Sequence, residues 1–153
     1  IGSTNNGSYI TIDKWIKSKI PDNEKELLLQ MDIERGEYEV FHSISEKTIN
    51  RFRIMVIEFH DLDEIWNYPF FIILSRVFKK ILQTHDCVHI HPNNITNTKK
   101  LNGIETVQAM EFTFYKKDRN NQNGYQTSFP HNLDRDNEHN QPTIVLPKSW
   151  FKN

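Results

Sequence analysis

A single cysteine, Cys87, leaves the chain without the means for an intramolecular disulfide, which agrees with a reducing compartment. Long apolar runs are also missing. The longest, around Tyr68 to Leu74, is far too short to cross a bilayer, and no charged-then-apolar signal opens the sequence. A cytoplasmic setting with no membrane partner is therefore expected. There is no glycine-rich phosphate loop, no paired-cysteine metal signature and no nucleophile elbow. Nor is there a basic stripe: the formal net charge is −1, with Lys and Arg scattered, so the electrostatic footprint of a nucleic-acid partner is absent.

What remains is an ordinary soluble composition, 37% hydrophobic and 25% charged over 153 residues, enough for one domain with a real core. Residues 1–8 and 117–140 are rich in Asn, Asp, Gly, Ser, Gln and His and read as loops. The expected unit is thus a single α/β domain over residues 1–153, with its core at about 10–117 and a polar loop and C-terminal tail at 118–153.

Between those ends the hydrophobic period alternates. Ile12, Trp15, Ile16 and Ile20 share one helical face, with Thr11 as N-cap and Pro21 as stop. Strands are expected at Leu27–Ile33, Ile54–Phe59, Cys87–His91 and Gln108–Tyr115, a weak helix over Ser45–Phe52, and a strong amphipathic helix over Tyr68–Thr84. The order predicts a mostly parallel sheet, three parallel strands with a final antiparallel one, and helices packed on its faces. Phe70, Phe71, Phe78 and Trp66 read as core, Cys87 as a buried filler, and His131 and His139 as solvent-facing.

The first strand is the most informative element, because its apolar run ends abruptly in Asp32, Glu34 and Glu37. Ligands of open α/β sheets bind beyond the carboxyl ends of the strands, so these acids stand where chemistry is done. The second strand repeats the pattern with Glu58 and His60. Period-two alternation sends Gln30, Asp32 and Glu34 to one side, and Glu58 and His60 to one side of the next strand. Acids and an imidazole then converge at one rim, able to bind a divalent cation or to let His60 act as general base on a hydroxyl. The competing reading makes Asp32 or Glu34 a helix cap and pairs Glu58 with Arg35 or Arg53. Similarly, His89 and His91 alternate about Ile90, a spacing compatible with chelation, against a purely structural role for the pair and for the turn at Pro92, Asn93 and Asn94. No metal ligand set is assigned from this pattern.

Four blocks carry a resemblance: Met31–Val40, Val56–His60, Val88–Asn94 and Glu111–Thr113, with the tail Phe129–Arg135 and Leu146–Trp150 similar as well. Together they resemble the carboxyl-terminal half of FkbM-type S-adenosylmethionine-dependent methyltransferases over residues 10–151. The resemblance implies a Rossmann-like sheet in which these strands are the fourth to seventh, the seventh running antiparallel between the fifth and sixth. On that reading the rim residues Asp32 and His60 are the candidate catalytic pair, assisting deprotonation of a hydroxyl on a sugar or other small molecule; Glu34, Glu37, Glu58, His91, Asn93 and Asn94 are candidate substrate contacts, and the resemblance favours the positioning role of Asn93 or Asn94.

Two departures from the family pattern stand out. The glycine-rich turn after a first strand and the ribose-holding acid after a second are not in the sequence; Gly2 and Gly7 have no apolar strand before them. Together with the non-Met start, this leads to the expectation of a truncated, substrate-side half, incomplete for catalysis as it stands. The second departure is Arg35, where the family places a small residue. Two further function classes stay open: a non-catalytic module that self-associates as a homodimer through its exposed sheet edge, and a metal-dependent hydrolase built on Asp32, Glu58, His60 and His91.

Overall fold

Three of the α-helices begin where a short polar side chain takes over an unpaired backbone N–H. Thr11 caps α1 (Ile12–Lys19) by accepting from the Lys14 amide, Ser45 caps α3 (Glu46–Ile49) through Thr48, and Asn67 caps α4 (Tyr68–Ile81) through Phe70 with a proline in the first turn. Helix α2 (Glu37–Ser43) starts after Gly36 with no side-chain cap bond. The computed structural model describes residues 1–5, 7, 9–119 and 124–151.

The main sheet contains β1 (Leu27–Met31), β2 (Phe52–Phe59), β3 (His85–Pro92) and, after a small hairpin of β4 (Lys99–Leu101) and β5 (Ile104–Thr106), β6 (Met110–Lys116). Its order is β1-β2-β6-β3, with β1·β2 parallel and both contacts of β6 antiparallel. Three parallel strands with a final antiparallel one are expected from the sequence; among the described residues only one pair, β1·β2, is hydrogen-bonded in parallel. The reason is that β6 inserts between β2 and β3, so β3 points the same way as β1 and β2 without pairing with either. That is the place the resemblance gives to the last strand.

Alternation along the strands sorts the two sheet faces. Leu29, Met31, Met55, Ile57, Phe59, Phe112 and Phe114 are buried on one face, where α2 and α4 bring Phe41, Tyr38 and Phe78 against them. Rings such as Phe59 and Phe112, 5.7 Å apart edge to face, dominate this core. Lys80 ties the two helices together, its ammonium donating to the carbonyls of Phe41, His42 and Ile44 at the end of α2. Ile12 and Ile16 of α1 join the same cluster.

Several details depart from the pattern expected of the sequence. Trp15 and Phe71 are exposed rather than core, and Cys87 lies in β3 but is exposed. β1 ends two residues early, at Met31, because Glu34 and Arg35 adopt positive φ and turn the chain out of the sheet. Beyond β6, described residues 124–151 run irregularly but are not loose. Leu146 is buried in the core, and Phe129, Trp150 and Phe151 pack against it.

Candidate functional site at the strand ends

Register decides which side chains meet. Gln30 pairs with Val56, Val56 with Thr113 and Thr113 with His89, so these four share one row across the sheet. One row further toward the carboxyl end of β1, Glu58 lies opposite Glu111, and Glu111 opposite His91. Asp32 follows β1 on the same side, next to Glu58. A line of acids and a histidine therefore crosses the sheet on the face opposite the aromatic core. Two carboxylates directly opposed repel.

Glu58 itself is partly buried and hydrogen-bonded. Burial pushes its carboxyl above the ordinary range, and the Asp32 charge adds to this; the bond from Asn93 Nδ2 to Glu58 Oε1, 2.8 Å, works the other way. His60, just past β2, closes the group: Asp32, Glu58 and His60 each present a ligand-type atom, all within 4.8 Å of one another.

The His60 ring is held from behind. Its Nδ1 lies 3.3 Å from Oε1 of Glu37, which is 0% exposed and which also accepts the Ile33 N–H at 3.1 Å. The other oxygen of Glu37 is buried with no partner. With Nδ1–H directed to Glu37, Nε2 is the free ring nitrogen. It faces Asp32 Oδ1 at 3.9 Å and Glu34 Oε2 at 3.6 Å. The Tyr38 hydroxyl donates to the His60 carbonyl and anchors the backbone there; burial among apolar rings, with Glu37 and Asp61 near, drives that phenol's pKa far up, so it stays a donor.

The helix-cap and ion-pair alternatives are not what these residues do. Neither Asp32 nor Glu34 caps α2, Arg35 pairs with Asp61 at 2.6 Å, and Arg53 pairs with Glu26 at 2.8 Å, leaving Glu58 to Asn93.

A cavity of about 270 Å³ opens onto this group, lined by Asp32, Glu34, Glu58, His60 and Asn93 together with Ile95, Thr96, Gln108, Ala109 and Asn137. Of the residues singled out in the sequence, then, Asp32, Glu34, Glu58, His60 and Asn93 share one cavity, with Glu37 buried beneath it. His91 and Asn94 face elsewhere. His91 lies in an adjoining cavity of about 290 Å³, its Nε2 at 2.9 Å from the Arg135 carbonyl and its Nδ1 at 3.5 Å from Asp134, which also meets His89 at 2.8 Å. Asn94 spends its amide on the C-terminal segment, accepting from the Glu138 N–H and donating to the Glu138 and Gln141 carbonyls. Gln108, expected to open the last strand, and Asn137, in the polar tail, were not foreseen as lining residues, since nothing in their local pattern sets them apart from other amides.

The family model described as the methyltransferase FkbM domain matches residues 8–85. The matched span holds Asp32, Glu34, Glu37, Glu58 and His60 and stops before His91, Asn93 and Asn94. No curated protein and no solved structure matches the chain.

Proposed function

The chain belongs to the FkbM methyltransferase family, and we propose from that premise that its strand-end cavity is the acceptor side of an S-adenosylmethionine-dependent O-methyltransferase with a Rossmann-like sheet. The observation that carries this is the histidine held by a buried acid: Glu37 fixes the His60 ring so that Nε2 points into a cavity whose other walls are Asp32 and Glu58. Such a wall of acceptors suits a ligand rich in hydroxyls, a sugar or similar small molecule. Asp32 and His60 accept its hydrogen bonds, and one of them receives the proton of the hydroxyl to be methylated. Glu34 and Glu58 orient neighbouring hydroxyls, with Asn93 fixing Glu58.

S-adenosylmethionine would supply an electrophilic methyl group, but the described residues do not fit it by themselves. The groove beside β1 is lined by Trp15, Ile16, Ile20 and Leu28, and Gly2 and Gly7 follow no strand, so neither a glycine-rich cradle nor a ribose-holding acid is at hand. No catalytic step is therefore assigned to the cofactor on this chain. β1 is an edge strand with Leu28 65% exposed. Elements holding the cofactor would pair along that edge.

The test is amide NMR of the chain titrated separately with a panel of hexoses and 6-deoxyhexoses and with S-adenosylmethionine. Sugar-induced shifts at Asp32, His60 and Asn93, with only millimolar-or-weaker cofactor binding, are expected. Tight cofactor binding would overturn the division into halves; a rim untouched by every sugar would overturn the acceptor assignment.

A further inference from the structure

We propose that Asp32, Glu58 and His60 bind a divalent cation of the Mn²⁺ or Mg²⁺ kind. Three observations converge. First, one ligand-type atom from each residue lies within 4.8 Å of the others, and donors shared by one octahedral ion at about 2.0–2.2 Å stand roughly 3 to 4.4 Å apart, so side-chain rotation alone closes the gap. Second, Nε2 of His60 faces oxygens that only accept, Asp32 Oδ1 at 3.9 Å and Glu34 Oε2 at 3.6 Å. A lone pair set against carboxylates is satisfied by a cation between them. Third, the other ring nitrogen already leans on Glu37, a buried carboxylate with one oxygen unpartnered. An acid behind an imidazole is how metal-ligating histidines are oriented and made more basic.

The donor set also selects the ion. Two carboxylates and one imidazole, with no thiolate, suit a hard-to-borderline cation that keeps open positions. Asn93, bonded to Glu58 Oε1, leaves the second oxygen of that carboxylate for the metal. The open positions face the cavity.

This deepens the proposed function and rests on it in one respect: the acceptor hydroxyl would be a further ligand. Cation-bound, that hydroxyl loses its proton more readily, and the proton passes to an exposed carboxylate such as Glu34, not to Asp32 or His60, which are then both on the ion. The two uses of Nε2 exclude each other. Binding of the ion can be read without cofactor or acceptor, so failure here returns Nε2 to the proton-accepting role and leaves the methyltransferase reading standing.

The experiment is electron spin resonance of the chelator-treated chain titrated with Mn²⁺, followed by pulsed measurement of nitrogen coupling. One tightly bound Mn²⁺ per chain with an imidazole nitrogen signal is expected. Asp32→Asn and Glu58→Gln should each weaken binding about tenfold or more, His60→Gln should abolish the nitrogen signal, and Asp22→Asn, on a remote surface pair with Lys47, should change nothing. A folded wild-type chain that binds no Mn²⁺, or binds it without nitrogen coupling, overturns the proposal whatever the variants do.

Discussion

Glu34 and Arg35 hold φ values of 52° and 84°, a left-handed pair in the turn between β1 and α2 that aims Glu34 at His60 and lets Arg35 reach Asp61. For a residue with a Cβ this region costs about 1–2 kcal/mol, which explains why a small residue is the easier choice at position 35. Arg35→Gly removes that cost but loses an exposed ion pair and adds unfolded-state entropy, each worth under about 1 kcal/mol, so stability should hardly change. Arg35→Val, branched at Cβ, should be at least about 1 kcal/mol less stable than Arg35→Gly in urea unfolding; equal midpoints would show that the turn is not strained. Glu37 makes the complementary case. Cutting it to Ala strands the partly buried Ile33 N–H and frees the His60 ring, a loss of about 1–3 kcal/mol by the same measurement, whereas Glu37→Gln keeps an acceptor for Ile33 and should lose less. A Glu37→Ala protein as stable as wild type would remove Glu37 from its supporting role.

Among the elements, β3 is fastened to β2 across the intervening β6 by a side chain. His85 is buried at the start of β3, with Nε2 3.0 Å from the Phe52 carbonyl at the start of β2 and the Thr84 hydroxyl on Nδ1. Burial lowers its pKa below the ordinary value near 6.5; the bond to Phe52 works against this, as does Asp118, while Lys116 and Lys117 add to it. Because the unfolded chain then binds the proton more readily, this contribution to stability is complete above about pH 6.5 and falls as the pH drops below it. Urea midpoints from pH 8 to 5 should decline in that window, and His85→Gln should flatten the decline; a slope unchanged by the substitution would assign it to other groups. Elements whose hydrophobic period runs uninterrupted, α1, β2 and α4, were legible in the sequence to within a few residues. The hairpin β4–β5 was not read, although its turn, Asn102 and Gly103 at φ of 50° and 80°, is a strong two-residue signal. Neither flanking strand alternates enough to draw attention to it. The strand-end acids were legible because a short apolar run stopping at charge is itself a positional signal. Which acids would meet was not, since that depends on register and on the left-handed turn.

On the scale of the whole molecule, residues 124–151 act as a belt across β3, although their polar composition reads as a solvated tail. Composition misleads here because a few apolar residues far apart, Phe129, Leu146 and Trp150, do the packing. Polar clips then fix the chain between them. Asp134 takes both His89 and His91, and Asn94 holds the stretch from Glu138 to Gln141 by its side-chain amide. Asn137, which lines the strand-end cavity and the adjoining one, lies between these clips. The belt therefore contributes to the wall of the site through Asn137. Asn94→Ala removes a buried amide with several backbone partners at once, which should cost about 1–3 kcal/mol. Because the clip is local, the belt should open before the sheet unfolds. Limited proteolysis of Asn94→Ala is expected to cut within residues 131–145 much faster than in wild type, leaving a fragment that keeps the amide protection of β2 and β6. Cleavage at the wild-type rate, or loss of sheet protection at the same rate as belt cleavage, would mean that the belt and the sheet open as a single unit.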